Sequence, residues 1–160
     1  APQGLELGKD VPDFAAKDLN GKEYKLSGLT KEGKIVVVFS WSFDCGSGKP
    51  VIPRATEVAK KYEKDDKVVF LAVNSYGETP EKLKAYVKDN SISYPVCHDE
   101  GKAIAKMFNA KQVNSTYVIK DGKLFWRGGL SKDGKDLGVD AIEAAKAGKP
   151  APESDRKFAG

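Results

Sequence analysis

The residues best suited to chemistry in this chain surround Cys45, in the segment FSWSFDCGSGKPVIP (residues 39–53). A cysteine thiolate attacks disulfides and peroxides, and the open N–H groups at the start of a helix lower the pKa of a nearby thiol. Pro50 suits a first helical turn, where its missing N–H costs nothing. We therefore expect Cys45 to stand just before a helix N-terminus, and we predict that it is the reactive residue.

The neighbours of Cys45 act on its thiolate in opposite directions. Open backbone amides and one lysine favour the negative charge, and they belong to Gly46, Ser47, Gly48 and Lys49. Asp44 disfavours it, because a neighbouring carboxylate opposes a second negative charge. The sequence therefore leaves the direction of the Cys45 pKa shift open.

Gly48 stands three residues after Cys45, where a C-x-x-C disulfide-exchange site has its second cysteine. A two-cysteine site resolves its mixed disulfide internally, whereas a single thiol must wait for another thiol. Cys45 could still be oxidised by a peroxide to a sulfenic acid or take part in monothiol exchange. The reducing thiol would then be Cys97 or an external one.

Cys97 lies in the segment YPVCHDE and has two interpretations. It is either a small buried strand residue or a partner that resolves Cys45 or forms a disulfide with it, which requires Cα atoms within about 7 Å. His98, the single histidine, stands beside Asp99 and Glu100, but consecutive strand residues point to opposite faces. We predict no metal site and no cofactor.

The composition argues against several classes of function. The chain has 160 residues, a net charge of +4, and lysines that alternate with acids, so nucleic-acid binding is not expected. The longest apolar run, residues 68–73, is far shorter than the ~20 residues of a membrane span. The chain begins with Ala1 rather than methionine, which suits signal cleavage. We therefore expect a periplasmic or secreted protein.

Strand and helix patterns alternate along the chain. Asn20-Gly21 and Asp121-Gly122 predict two hairpins. Buried strands are predicted at residues 34–41 and 67–74 and a short strand at 93–97, with the second hairpin over 115–127. Helices are predicted from Pro50 onward and over residues 79–89, 99–108 and 137–146, the second capped by Thr79. This order predicts a sheet with parallel strands and helices on both faces, and Cys45 at the carboxyl end of a strand.

One domain accounts for the whole length. We assign residues 1–10 to an N-terminal extension, residues 11–148 to the domain, and residues 149–160 to a polar tail that is expected to be flexible.

Several segments match a known family in their order and spacing: VPDF, DLNGKEYKL, VVVFSWSFDC, VVFLAVN, YPV-HDEGKAIAKMF and TYVIKDGKLFWRG. With these segments the chain resembles the thioredoxin fold, in its TlpA/ResA-like and AhpC/TSA (peroxiredoxin-like) branches, over roughly residues 11–147. The resemblance implies an α/β thioredoxin-like fold. Its parts would be a central mixed β-sheet flanked by helices, an N-terminal β-hairpin and an inserted β-α segment.

The chain departs from the TlpA-like pattern at the site itself. Trp41 matches the tryptophan four residues before the family's first cysteine, and we interpret it as a core residue that borders the site. Gly48 occupies the place of the second cysteine. Ser115 occupies the place of the cis-proline that faces the redox cysteine, and with Asn114 it could offer polar contacts there.

Two other branches of the fold match in part. The peroxiredoxin pattern has Ser or Thr three residues before its cysteine, and Ser42 supplies it, but Val38 replaces the proline of that pattern. The copper-carrying Sco-like pattern has its second cysteine where this chain has Lys49. The resemblance therefore implies thiol chemistry and leaves its kind open.

These observations predict an exported thiol-dependent redox protein that acts through Cys45 alone, by monothiol disulfide exchange or thiol peroxidase chemistry. Its partner would be a protein thiol or disulfide, or a peroxide. The alternative is a non-catalytic thioredoxin-fold binding module in which Cys45 is inert or linked to Cys97.

Overall fold

The structure, a computed structural model, describes residues 5–44, 49–110, 114–131 and 135–154. Its strands are β1 (Ala15–Lys17), β2 (Glu23–Lys25), β3 (Ile35–Ser40), β4 (Val68–Asn74), β5 (Val96–His98), β6 (Ser115–Lys120) and β7 (Lys123–Gly129). Its α-helices are α1 (Leu26–Lys31), α2 (Ile52–Tyr62), α3 (Pro80–Asp89), α4 (Ala103–Phe108) and α5 (Leu137–Ala147). Two 3₁₀ turns, Lys49–Val51 and Glu100–Lys102, precede α2 and α4.

The central sheet has the strand order β5-β4-β3-β6-β7. β3, β4 and β5 run parallel, whereas β6 pairs antiparallel with β3 and with β7. β1 and β2 form a separate antiparallel pair. The expected mixed sheet with its N-terminal hairpin is thereby confirmed.

The alternation of side chains in β3 divides the core into two layers, because successive strand residues point to opposite faces. Val37 and Phe39 pack in one layer, with the apolar faces of α2 and α5. Val36 and Val38 pack in the other, with α1, α4 and the N-terminal hairpin. All four side chains are buried, so β3 is covered on both faces, as its continuous apolar run predicts.

The elements α1, β5 and α4 differ from the pattern in the sequence. α1 has no predicted counterpart, since six residues with a central glycine show no helical period. β5 begins at Val96 rather than at residue 93, and Pro95 precedes it, which has no N–H to donate to a ladder. α4 begins only at Ala103, because Gly101 and Lys102 adopt left-handed conformations. The side chain of Asp99 accepts hydrogen bonds from the backbone N–H groups of residues 104 and 105 in the first turn of α4.

Both ends of the described chain lie against β7. The backbone N–H of Gly8 donates to the carbonyl of Leu124 at 2.8 Å. The indole Nε1 of Trp126 donates to the carbonyl of Glu153 at 3.2 Å. The described part of the tail is therefore bonded to the sheet, while the boundaries at residues 10 and 148 stay predictions.

Candidate functional site

The segment that leads from β3 toward Cys45 is described up to Asp44, and the chain is described again from Lys49. Four of the predicted site residues lie outside the described residues, as does the side chain of Lys49: Cys45, Gly46, Ser47 and Gly48. We call residues 42–44 the entry segment. What the structure shows about the site concerns the entry segment, the start of α2 and the side chains packed beneath them.

The entry segment leaves the carboxyl end of β3, at the edge where the parallel strands β3 and β4 both end. The N–H of Trp41 donates to the carbonyl of Val73 at 2.9 Å, which extends the β3–β4 pairing by one step. Beyond the gap, the chain enters the 3₁₀ turn and then α2. The described residues before the gap thus follow the end of a strand, and those after it begin a helix. Functional sites of α/β sheets are expected at such a strand end.

The α-helix begins at Ile52 rather than at Pro50. Pro50 lies in the 3₁₀ turn, and Pro53 occupies the first turn of α2. A proline further inside an α-helix would lose a hydrogen bond and clash with the carbonyl four residues earlier. Pro53 therefore limits how early α2 can start.

Trp41 is a core residue. Its side chain is 0% exposed, and its indole Nε1 donates to the hydroxyl of Tyr94 at 3.2 Å. Its ring meets those of Phe43 and Tyr86 edge-on, and those two rings stack on each other with centroids 4.3 Å apart. Trp41 therefore packs beneath the entry segment through its contact with Phe43, and its buried ring is not accessible to a substrate.

A buried carboxylate that the sequence analysis did not identify lies beneath the entry segment. Glu78 is 3% exposed. Its Oε1 accepts hydrogen bonds from the hydroxyl of Ser42 and from the N–H groups of Phe43 and Asp44, the last two at 3.0 and 3.1 Å. Its Oε2 accepts from Asn74 Nδ2 at 3.0 Å. The signal in the sequence is an acid placed between a strand end and a helix N-cap.

These donors keep Glu78 ionised. Burial alone would raise the pKa of its carboxyl, but the hydrogen bonds from Ser42, Asn74 and the Asp44 backbone outweigh burial and leave the pKa below its ordinary value. Asp44 itself is exposed and forms a 4.0 Å ion pair with Lys82 on α3. The entry segment therefore contains one exposed carboxylate, that of Asp44, and is bound to one buried carboxylate, that of Glu78.

Asn114 and Ser115 lie beside the same strand end. The N–H of Asn114 donates to the carbonyl of Ser40 at 3.0 Å, and its side-chain Oδ1 accepts from the N–H of Leu130 at 3.0 Å. Its φ of 77° is left-handed, a conformation that asparagine tolerates well. Ser115 is 2% exposed and pairs with Gly129. The structure thus brings these predicted residues close to the entry segment, where both are held by neighbouring strands.

Cys97 is buried in the core layer that contains Val36 and Val38, on the other side of the sheet from the layer that contains Trp41. It lies in β5 opposite Val73, bridges to Asp18, and is 1% exposed with a free thiol. Burial, and to a lesser degree the charge of Asp18, raise the pKa of this thiol to about 12. A disulfide between Cys97 and Cys45, considered from the sequence, is therefore not formed in this structure, and Cys97 is a core residue.

We expect Cys97 to resist alkylation in the folded protein. A thiol pKa raised from 9.0 to about 12 leaves little thiolate at pH 8.5, so iodoacetamide should modify native Cys97 at least about a hundredfold more slowly than denatured Cys97. The buried thiol favours the folded state below pH 9, and this contribution declines as the pH rises toward 12. Mass spectrometry of both cysteines over time measures the rates. Equal rates in native and denatured protein would contradict the burial.

Among the described residues, no group of three or more His, Cys, Asp or Glu side chains is arranged to hold a metal ion. No helix in the described part of the chain has the length and apolar composition of a membrane span.

Comparison with known sequences assigns this chain to a family. Residues 7–127 match the AhpC/TSA family. The chain is 31% identical over 121 residues to the thiol-disulfide oxidoreductase ResA of Bacillus thuringiensis, an alignment that covers 75% of this chain and 68% of ResA. This chain therefore belongs to the AhpC/TSA family.

Solved structures that are similar to this chain have the thioredoxin fold. An uncharacterized conserved protein from Geobacillus kaustophilus is 25% identical, with a TM-score of 0.81 over 94% of this chain and 87% of that one. The pneumococcal exposed lipoprotein thioredoxin of Streptococcus pneumoniae is 23% identical, with a TM-score of 0.67 over 84% of this chain and 98% of that one. The resemblance implied by the sequence motifs is confirmed for the family and the fold.

Proposed function

We propose that this protein is a thiol-dependent redox protein that acts through Cys45 alone. The observation that carries the proposal is the burial of Cys97, whose thiol is 1% exposed and has its pKa raised to about 12. A thiol in that state neither attacks nor resolves at neutral pH. Cys45, which follows an entry segment at the carboxyl end of β3, is then the thiol available for exchange.

The chemistry proceeds in two steps. The Cys45 thiolate attacks one sulfur of a disulfide, the S–S bond breaks, and the other sulfur leaves as a thiolate. An external thiolate then attacks the mixed disulfide and releases Cys45. With a peroxide, the thiolate attacks one oxygen, the O–O bond breaks, and the other oxygen leaves as hydroxide or alkoxide, which takes a proton from water. The resulting sulfenic acid is reduced by two external thiols, which regenerates the Cys45 thiol and forms water and a disulfide.

The partners proposed are protein thiols or disulfides, with peroxides as the second substrate class. The Bacillus thuringiensis relative, a thiol-disulfide oxidoreductase, supports the first class. We propose a periplasmic or secreted location. The exposed lipoprotein thioredoxin of Streptococcus pneumoniae, which shares the fold, supports this location.

Three proteins test the proposal: the wild type, Cys45→Ser and the matched control Cys97→Ala. Each is assayed for reduction of a small mixed disulfide by glutathione and for thiol-dependent consumption of hydrogen peroxide. We expect Cys45→Ser to lose activity in whichever assay the wild type supports, and Cys97→Ala to retain it, since alanine fits a small buried site. Loss in Cys97→Ala with unchanged folding, or no wild-type activity in either assay, would overturn the proposal. The second outcome would favour the non-catalytic binding module.

A further inference from the structure

We propose that Glu78 is a positioning residue for the redox thiol: its buried carboxylate fixes the backbone of the entry segment, and its negative charge acts on Cys45. This inference rests on the proposed function of Cys45. It concerns a residue that is 36 positions away in the chain from Ser42. Glu78 would then set both the backbone geometry of the entry segment and the local charge near Cys45.

The geometry of Glu78 is that of an anchor. One carboxylate oxygen, Oε1, accepts all three bonds from the entry segment: the Ser42 hydroxyl and the N–H groups of Phe43 and Asp44. Two consecutive backbone N–H groups that point at a single oxygen restrict the dihedral angles of the residues that carry them. Hydrogen bonds to a charged acceptor are about twice as strong as neutral ones. The segment that leads into Cys45 is therefore held by one side chain.

The anchor is itself fixed on two sides. Asn74, 1% exposed at the end of β4, donates through Nδ2 to Glu78 Oε2 and to the carbonyl of Trp41, both at 3.0 Å. Thr79, the next residue, caps α3 by accepting from the N–H of Lys82 at 3.3 Å. Glu78 thus connects the carboxyl ends of two strands with the start of a helix.

The charge of Glu78 lies within reach of the thiol. Asp44 N is 3.1 Å from Glu78 Oε1, and Cys45 is the next residue. Standard bond lengths alone keep the Cys45 Sγ within about 11 Å of this oxygen, whatever path the loop takes. A buried charge at that range is incompletely screened by salt, so Glu78 opposes formation of the Cys45 thiolate.

Other titratable groups lie in the entry segment or on the elements beside it, and the experiment must control for them. Asp44 and Lys82 form the exposed 4.0 Å pair, and Glu81 lies in the first turn of α3. The phenols of Tyr86 and Tyr94 contact Phe43 and Trp41, respectively. The exposed charges are screened by water, unlike Glu78. Glu81→Gln therefore removes one nearby charge without touching the anchor, and is the matched control.

The test measures the alkylation rate of Cys45 against pH, by mass spectrometry, so it needs no catalytic turnover. We expect Glu78→Gln to lower the Cys45 pKa by about 0.3 to 1, from a charge interaction at about 10 Å. Glu81→Gln should shift it by less than about 0.2, since exposed charges are screened. Glu78→Asp keeps the charge but is too short to hold the entry segment. It should leave the pKa near that of the wild type and lower the rate of mixed-disulfide formation per thiolate.

A second measurement uses the wild type only, in case the variants do not fold. In NMR spectra, the amide signals of Phe43 and Asp44 should titrate together, with one acid pKa below the ordinary value of a glutamate. An unchanged Cys45 pKa in folded Glu78→Gln would overturn the electrostatic role, and an equal shift in Glu81→Gln would do the same. Amide signals that do not respond to acid would overturn the anchor. Failure of the activity assays alone would contradict the proposed function and leave these results standing.

Discussion

A Trp41→Ala variant is expected to lose about 3–5 kcal/mol of the free energy of unfolding, the usual cost of truncating a fully buried tryptophan. The side chain is 0% exposed and packs in the core layer that contains Phe39 and Leu83. Removing it leaves a cavity that the strands cannot close, because β3 is fixed by pairing on both sides. The loss is a large part of the roughly 5–15 kcal/mol that holds a typical domain together.

Trp41→Phe is the matched control. Its ring retains most of the packing, and only the indole N–H bond to Tyr94 is removed, so we expect a loss of about 1–2 kcal/mol. Tyr94 keeps its hydroxyl contact with Thr56 at 3.2 Å. Urea unfolding followed by circular dichroism measures both variants. A Trp41→Ala protein within 1 kcal/mol of the wild type would show that this tryptophan does not support the core, contrary to its burial.

A Gly48→Cys variant is expected to turn the single-thiol site into a two-thiol site. The second thiol would stand three residues after Cys45, the spacing of a C-x-x-C motif, and would resolve the mixed disulfide internally. An intramolecular thiol acts at an effective concentration of millimolar or above. With external thiol held well below that concentration, we expect the release of a trapped substrate to be at least about tenfold faster.

Gly48→Ser is the matched control, since it adds a side chain of similar shape without a thiol. The measurement is the lifetime of the mixed disulfide between Cys45 and a peptide, followed by mass spectrometry under limiting glutathione. The wild type and Gly48→Ser should keep the peptide bound until excess glutathione is added, whereas Gly48→Cys should release it in limiting glutathione. If all three proteins release the peptide at one rate, the missing cysteine does not limit resolution in this protein.

Local sequence patterns predicted most of the architecture. The apolar run of β3 predicted a strand buried on both faces, and Val36 to Phe39 are indeed buried. Thr79 and Pro80 predicted the start of α3, which begins at Pro80 with Thr79 as its cap. These features depend on neighbouring residues, so a short stretch of sequence contains them. The predicted starts of α2, β5 and α4 were wrong, because they depend on backbone conformations that composition does not reveal.

The sequence by itself determined the family, the order of the strands and of every helix except α1, and the place of Cys45 after the third strand. Only the tertiary structure decided which other residues belong to the site. Glu78 meets Ser42 across 36 residues, and the entry segment is bound to it through backbone N–H groups that every residue except proline carries. Burial likewise decided that Cys97 is a core thiol with a raised pKa, because the pKa of a thiol depends on what covers it. The burial of a side chain and its contacts with residues distant in the sequence both arise from tertiary packing, which no local sequence pattern specifies.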